Sequence, residues 1–445
     1  MHVRQAGEYA EALSRRLRDH EATIGVIGLG YVGLPLALAF AQREFRVLGF
    51  DVDPQKVEAL AQGRSYISHI DAALLRASAD GGRLEATTDF GRLGEPDAIL
   101  ICVPTPLSAQ REPDLSYVVK TSERIKQSLR PGQLVVLEST TYPGTTIELI
   151  KPLLESTGLH AGQDFFLAFS PEREDPGNTR HTTTTIPKVV GGVDPVSGQL
   201  AQLLYDQAIA RTVRVSSADA AEATKLTENI FRAVNIALVN ELKLIYAKMG
   251  IDIWEVLDAA ETKPFGFMRF DPGPGWGGHC IPLDPFYLSW KAREHGLDTR
   301  FIELAGQINR GMPTYVVHCL QQALNDRGKA LKGSDVLMLG MAYKKDVGDT
   351  RESPAFEVMR LLLERGARIA YHDPHVPVVP ETRDWGFLPR LESQPLSRAS
   401  LQGRDAVVLV TAHSGMDYEL VQEHAALIVD ARGVYRGQRP NVVKA

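Results

Sequence analysis

Cys280 closes a run of glycines and prolines, Pro272-Gly273-Pro274-Gly275-Trp276-Gly277-Gly278-His279-Cys280-Ile281-Pro282-Leu283-Asp284, and a carboxylate comes four positions after the thiol. Structural cysteines sit in apolar helices or strands, the setting of Cys102 and Cys319. A thiol delivered on a loop of Gly and Pro reads instead as a nucleophile. His279 is a poor base for it, because neighbouring side chains on an extended loop point apart. Near the N-terminus, Gly28-Leu29-Gly30-Tyr31-Val32-Gly33 stands between an apolar strand and a helix. Glycines there permit a tight turn and bring backbone N–H groups, with the positive end of the helix, against a pyrophosphate. Asp51 ends the next strand, at the spacing where a carboxylate takes the adenosine ribose hydroxyls; Asp53 serves if that strand runs longer. A carboxylate here repels a 2′-phosphate, so NAD is expected over NADP. A nicotinamide site and a placed thiol together point to an alcohol oxidised through the aldehyde to the acid, with the aldehyde held on sulfur.

Other polar residues fit that chemistry. Lys225, Asn229 and Arg232 share one face of a helix, at i, i+4 and i+7. A Lys/Asn pair can hold an alcohol oxygen and stabilise the alkoxide that precedes hydride loss. Arg232 fits a solvated polar face equally well. Glu172 comes after the apolar run Phe165 to Phe169 and Ser170-Pro171, where a carboxylate at a strand end can activate water. Tyr343, Lys344, Lys345 and Arg351 flank Asp346 to Thr350 ahead of Ser353, an expected N-cap with Pro354 behind it. Cations beside a helix start suit phosphate groups, and a charged surface loop reads the same way. His372-Asp373-Pro374-His375 reads as a solvent-facing turn, and no metal is assigned.

These groups need elements to hold them. The 445 residues exceed one ordinary core, so two or three domains are expected. Ala22 to Leu29, Arg46 to Phe50, Ala98 to Val103 and Leu134 to Leu137 read as strands, with a short charged helix at Ala10 to His20 and another at Val32 to Arg43. This is an α/β alternation with a parallel, doubly wound sheet, whose ligand edge lies at the strand C-termini. Asp51, Pro104-Thr105-Pro106 and Ser139-Thr140-Thr141 all come just after strand ends. Ala218 to Met249 has helical period with no Pro or Gly, and a second helical stretch, about Ile302 to Asn325, is expected to kink or break at Gly311 and Pro313. From Asp335 the alternation resumes without a second GxGxxG. The division expected is 1–215, an NAD-binding Rossmann-type domain; 216–325, an all-helical middle domain suited to dimerisation; and 326–445, a second Rossmann-like α/β domain.

A net charge of −6 without a Lys/Arg block argues against a nucleic-acid partner. Three cysteines make no disulfide framework, so a reducing compartment is expected. No apolar run reaches a membrane span's roughly 20 residues, and the charged residues Met1 to Glu21 do not form a signal peptide. Cytoplasmic localisation is expected.

From about Ala22 to Val434 the chain resembles the UDP-sugar 6-dehydrogenase family. Gly28 to Gly33, Ser139-Thr140, Ser170-Pro171-Glu172-Arg173, Lys225 to Asn229, Gly277-Gly278-His279-Cys280, Asp284, Lys344 and Arg351 fall in the family's order. The loop from Pro272 to Pro285 is most similar to the bacterial UDP-N-acetylhexosamine branch, the N-acetylglucosamine enzymes above all. The resemblance implies NAD as cofactor, a UDP-sugar substrate bound by the last domain, a homodimer or higher homo-oligomer, and polysaccharide or O-antigen precursor supply. It implies Cys280 as nucleophile; Lys225, Asn229 and Asp284 as the groups that position the sugar alcohol and a water; Glu172 as the aid to thioester hydrolysis; and Thr140 as the group that orders its water. Arg173, Lys344 and Arg432 resemble substrate contacts, with Arg232, Gly277 and Tyr343 beside them. Arg351 resembles a cofactor or domain-closure contact. Lys56 sits near the adenosine ribose, and Tyr31, Val32 and Thr105 line the cofactor loops. One departure stands out: the second acidic residue of many UDP-glucose enzymes, four after Glu172, is Pro176 here.

A β-hydroxyacid dehydrogenase would share the NAD fold and the Lys/Asn pair but needs neither Cys280 nor the third domain. A non-catalytic sensor would not need Lys225, Cys280 and Asp284 together, and cysteine-dependent acyl transfer leaves Gly28 to Gly33 unexplained. The sugar epimer stays open among glucosamine, mannosamine, galactosamine and glucose forms, because a few hydrogen bonds decide it.

Overall fold

A computed structural model describes residues 2–67, 70–108, 112–173, 182–278, 281–380 and 385–445. The chain divides into two compact units: Met1–Glu228 with Trp290–Gly296, and Asn229–Ser289 with Leu297–Ala445.

The first unit is built on an eight-stranded sheet: β1 (Thr23–Ile27), β2 (Arg46–Phe50), β3 (Leu84–Thr87), β4 (Ala98–Ile101), β5 (Leu134–Leu137), β6 (Phe166–Phe169), β7 (Lys188–Gly192) and β8 (Thr212–Arg214). Its order is β3-β2-β1-β4-β5-β6-β7-β8. All pairings are parallel except β6 with β7. The central strands β1, β4, β5 and β6 are buried along their whole length because both faces are covered. In β5, Leu134 and Val136 enter one core while Val135 and Leu137 enter the other. The chain order reverses between β1 and β4, the place where such sheets open a ligand crevice at the strand C-termini.

The second unit carries a five-stranded, all-parallel sheet: β9 (Asp335–Leu339), β10 (Arg368–His372), β11 (Ala406–Leu409), β12 (Ile428–Asp430) and β13 (Val442–Lys444), in the order β10-β9-β11-β12-β13. Its reversal lies between β9 and β11. The helix Ala218–Met249 has the span its periodicity predicts and begins in the first unit.

The helix Arg300–Asn325 runs unbroken through Gly311 and Pro313, so of the kink or break expected there the break does not occur. Proline removes the N–H that would bond the carbonyl of residue 309 and crowds that carbonyl. Here the freed Asn309 carbonyl faces the backbone of Gly275, where a Cβ would lie 3.1 Å away. The Asn309 side chain is buried between Asn240 and the Ala233 carbonyl. Packing on several sides holds a helix that propensity alone would break. No described helix is long and apolar enough to cross a membrane.

Candidate active site

The β1 turn fits a dinucleotide. Gly28 takes φ +91°, and a Cβ there would sit 2.5 Å from the Cys102 carbonyl; one on Gly33 would sit 1.9 Å from the Gly28 carbonyl. Only glycine serves at either place. Gly30 has nothing within 4 Å of its Cβ position, so this side of the turn is open to a ligand. The helix Gly33–Ala41 begins at Val32 with no side-chain cap, and the Leu34 N–H donates to the Gly30 carbonyl at 3.1 Å, which leaves the positive end of the helix for an anion. Tyr31 is exposed and Thr105 is buried.

β2 ends at Phe50, so Asp51 and not Asp53 takes the strand-end position. Asp51 Oδ2 accepts from the Leu29 N–H at 2.9 Å and from Lys56 Nζ at 3.1 Å, and Oδ1 accepts from the Asp53 N–H. The Asp53 side chain caps the helix Pro54–Ala61 instead.

In the same unit, Lys225 is buried, and its Nζ donates to the Glu172 carbonyl. The Glu172 carboxylate lies 3.6 Å from Lys188 Nζ. Arg173 is committed locally: Nη2 donates to Glu228 Oε1 at 2.6 Å and Nη1 to the Pro187 carbonyl at 2.6 Å. Thr140 is half-buried and comes after Ser139, whose hydroxyl donates to the Val103 carbonyl at 2.6 Å.

Sequence reasoning missed Glu222. Fully buried on the helix of Lys225, it accepts from the Gly144 N–H, the Thr146 N–H and the Thr146 hydroxyl, and so ties down the π-helical turn Thr145–Ile150 after the Ser139 segment. Burial pushes its pKa up to about 7 against these donors. The signal was present: 222, 225 and 229 share one helical face.

In the second unit, Asn229 Nδ2 donates to Asp284 Oδ2 at 2.5 Å, and both side chains are buried. Asp284 opens the helix Asp284–Glu294, whose dipole favours a carboxylate in its first turn. A charge-assisted buried bond of this kind is worth about 1.5–3 kcal/mol. Arg232, one turn on, is exposed. The Gly/Pro loop is clamped along its length. The Gly273 N–H donates to Asn240 Oδ1 at 2.9 Å, and its carbonyl accepts from Lys243 Nζ at 3.2 Å. A Cβ on Gly273 would meet the Arg432 guanidinium at 2.6 Å; Cβ atoms on Gly277 and Gly278 would each meet Tyr343 at 2.8 Å. The Gly278 N–H donates to the Arg351 carbonyl. The glycines are therefore needed for contact with Tyr343 and Arg432. His279, Cys280 and Pro176 lie outside the described residues.

Beyond β9, Arg351 forks onto Asp349 and stays half in solvent, Lys344 is half-buried, and Ser353 caps the helix Pro354–Glu364 as expected. Arg432 Nε donates to the Val410 carbonyl at 2.6 Å; burial lowers its pKa to about 10, so it stays a cation at neutral pH. Burial likewise lowers Lys243 to about 7.

The reading of His372 to His375 as a solvent-facing turn needs correction at Asp373. That carboxylate is buried and accepts from the N–H groups of Met341, Ala342, His375 and Val376. Asp346, His375 and His413 do bring ligand atoms within 4.8 Å of one another. His413 is already used, however: Nδ1 accepts from the Asp346 N–H at 2.9 Å, which places the proton on Nε2, 3.0 Å from Asp373 Oδ2.

Family models match three stretches: residues 22–209 as the UDP-glucose/GDP-mannose dehydrogenase family NAD binding domain, 219–311 as its central domain and 337–437 as its UDP binding domain. The chain is 38% identical over 393 residues to the UDP-N-acetyl-D-glucosamine 6-dehydrogenase of Pseudomonas aeruginosa, covering 88% of this chain and 90% of that protein. It is 35% identical over 441 residues to the NDP-N-acetyl-D-galactosaminuronic acid dehydrogenase of Ralstonia solanacearum, covering 96% and 99%. The solved UDP-D-ManNAc dehydrogenase from Pyrococcus horikoshii matches with a TM-score of 0.85 at 31% identity, over 95% of this chain and 98% of that one.

Proposed function

The chain belongs to the UDP-glucose/GDP-mannose dehydrogenase family of NAD-dependent UDP-sugar oxidoreductases, and on that premise we propose that it oxidises the C6 alcohol of a UDP-N-acetylhexosamine, UDP-N-acetyl-D-glucosamine first among them, to the UDP-uronic acid. The observation that carries this is the buried Asn229–Asp284 pair, four residues past the Cys280 position and beyond a loop that glycines press onto Tyr343. A simple alcohol dehydrogenase has no use for a thiol delivered in this way.

NAD, when bound, would accept one hydride from C6 in each of two successive oxidations, so two NAD are consumed per sugar. Lys225 and Asn229 hold the C6 oxygen, and the Lys225 ammonium stabilises the alkoxide as the alcohol proton leaves. Loss of the first hydride from C6 gives the aldehyde; Cys280 Sγ then bonds to its carbon as the carbonyl oxygen takes up a proton, giving a thiohemiacetal, and loss of that proton with the second hydride leaves a thioester. Thr140, Asp284 and Glu172 order a water that attacks C6. The C–S bond breaks, sulfur keeps the electron pair as thiolate, and Glu172 takes the water's proton. Gly28, Gly30, Tyr31, Val32, Gly33, Asp51, Lys56, Thr105, Thr140 and Arg351 hold the cofactor in this reading. Arg173, Arg232, Gly277, Tyr343, Lys344 and Arg432 contact the UDP-sugar. The parts are 1–215 for NAD, 216–325 for dimerisation and 326–445 for UDP.

Exposed Phe231, Leu238 and Ile245, at i, i+7 and i+14 on the helix Ala218–Met249, with exposed Phe301 and Leu304 on Arg300–Asn325, support a homodimer. We place the enzyme in the cytoplasm, supplying a polysaccharide precursor. The N-acetylglucosamine assignment rests on the loop from Pro272 to Pro285 and on the 38% identity; the 35% identity to a galactosaminuronic acid dehydrogenase supports that epimer second. Rates on UDP-N-acetylglucosamine, -mannosamine and -galactosamine and UDP-glucose test it. The highest kcat/KM on the glucosamine form is expected, and a preference for UDP-glucose would overturn the N-acetylhexosamine assignment.

A further inference from the structure

Three acidic or basic side chains meet where β5, β6 and β7 end or begin. Glu138 comes after β5 and is fully buried; Lys188 starts the antiparallel β7; Glu172 comes after β6, which lies between them. Lys188 Nζ is 2.5 Å from Glu138 Oε2 and 3.6 Å from Glu172 Oε2. The Tyr205 hydroxyl, from the helix Pro195–Asp206, donates to Glu138 Oε1, and the Lys188 ammonium lies 5.3 Å from the centre of the Tyr205 ring.

A lone buried ion pair contributes little stability, since desolvation offsets its attraction, and apolar residues of similar size often do better. This cluster holds two carboxylates for one ammonium, and the second carboxylate, Glu172, is the one with the hydrolytic role. We propose that Lys188, anchored by Glu138 and Tyr205, is a positioning residue that fixes the Glu172 carboxylate for the hydrolytic step, an inference that rests on the reading of Glu172 as the base. In that step the water oxygen bonds to C6, the C–S bond breaks to release the Cys280 thiolate, and the proton passes to Glu172, which must therefore be anionic beforehand.

Among the described residues, the other charged groups beside this cluster are turned elsewhere. Lys225 donates to the backbone carbonyl of Glu172, and Arg173 is turned to Glu228. Burial pushes the Cys102 thiol well up, so it adds no charge at neutral pH, and burial also pushes Tyr205 up. Burial alone would lower Lys188, but Glu138 and Glu172 more than reverse this, so the ammonium stays charged. Burial pushes Glu138 up and Lys188 opposes it. Removing Lys188 takes away the ammonium 3.6 Å from the Glu172 carboxylate, and removing the Glu138 charge releases that ammonium from its anchor.

The test uses the full chain with NAD and UDP-N-acetylglucosamine, monitoring NADH in a rapid burst and then at steady state. Glu172→Gln is the reference: a burst of two NADH per active site and then a stall. Lys188→Met should keep that burst and slow the steady state about tenfold or more. Lys188→Arg should restore most of the rate, and Glu138→Gln should keep the burst and slow the steady state by a smaller factor. NAD affinity and melting temperature monitor folding. Should Lys188→Met not fold, a slowed steady state with an intact burst in Glu138→Gln supports the inference. A steady-state rate equal to that of the wild type in either folded variant, with the Glu172→Gln stall present, overturns it. Absence of that stall overturns the reading of Glu172 itself.

Discussion

At the end of β1, Gly28 takes φ +91°, its N–H donates to the Phe50 carbonyl at 2.7 Å, and a Cβ would lie 2.5 Å from the Cys102 carbonyl. At the end of β9, Gly340 takes φ +88°, its N–H donates to the His372 carbonyl at 2.9 Å, and a Cβ would lie 2.5 Å from the Thr411 carbonyl. Each turn is held by the carboxylate just past the next strand: Asp51 accepts from the Leu29 N–H, and Asp373 from those of Met341 and Ala342. The two sheets thus share a device, but the helix after it begins differently in each. After Gly28 a helix starts at Gly33 with an uncapped end; after Gly340 the helix waits until Pro354 and Ser353 caps it. Asp51 keeps Lys56 as its side-chain partner, whereas Asp373 is closed off by four N–H groups and His413. A glycine turn and its aspartate belong to the fold. The open helix end and an available carboxylate set the first turn apart, and they are what the proposed dinucleotide site uses.

The largest contrast comes from the glycines. Gly33→Ala should weaken NAD at least 100-fold, about 3 kcal/mol, while UDP affinity is retained. Gly340→Ala should do the reverse; titration calorimetry with each ligand reads both. The aspartates come next. Asp51→Asn should weaken NAD about tenfold, about 1.4 kcal/mol. Asp373→Asn should leave NAD affinity alone and cost about 2 kcal/mol of stability. Burial would raise the Asp373 carboxyl, but His413 and backbone N–H groups hold it at about 2, below the usual 3.8. A lowered acid stabilises the fold above its unfolded pKa, so this contribution is present above about pH 4 and is lost as pH falls through 2. Thermal melts between about pH 5 and 2 should steepen in the wild type and not in Asp373→Asn. The smallest effect belongs to Lys56→Ala, whose partly exposed pair with Asp51 is worth about 0.5 kcal/mol. NAD affinity should fall two- to threefold; no change at all would remove Lys56 from the cofactor site.

Much of this was legible in the residue order. β2 and β5 have the spans that apolar runs predict, and so does the helix Ala218–Met249, because each is a periodic or uninterrupted stretch between breakers. The Gly28 turn and Asp51 were readable for the same local reason. That the helix does not break at Pro313 was not legible, since the contacts that carry it through the proline come from Gly275, Asn240 and Ala233, far away in sequence. Asp373 misled: a His-Asp-Pro-His string looks like a surface turn until His413, forty residues on, closes over it. Lys188, Glu138 and Glu222 carry no motif, and their pairing exists only once strands from separate stretches lie side by side.

The central claim is oxidation by four electrons through Cys280, and it is tested most directly by counting NADH formed per UDP-N-acetylglucosamine consumed by the purified protein. Two NADH per sugar with the uronic acid as product is the predicted result, and Cys280→Ala should bind NAD yet form no acid. One NADH per sugar, or acid formation by Cys280→Ala, would contradict the account.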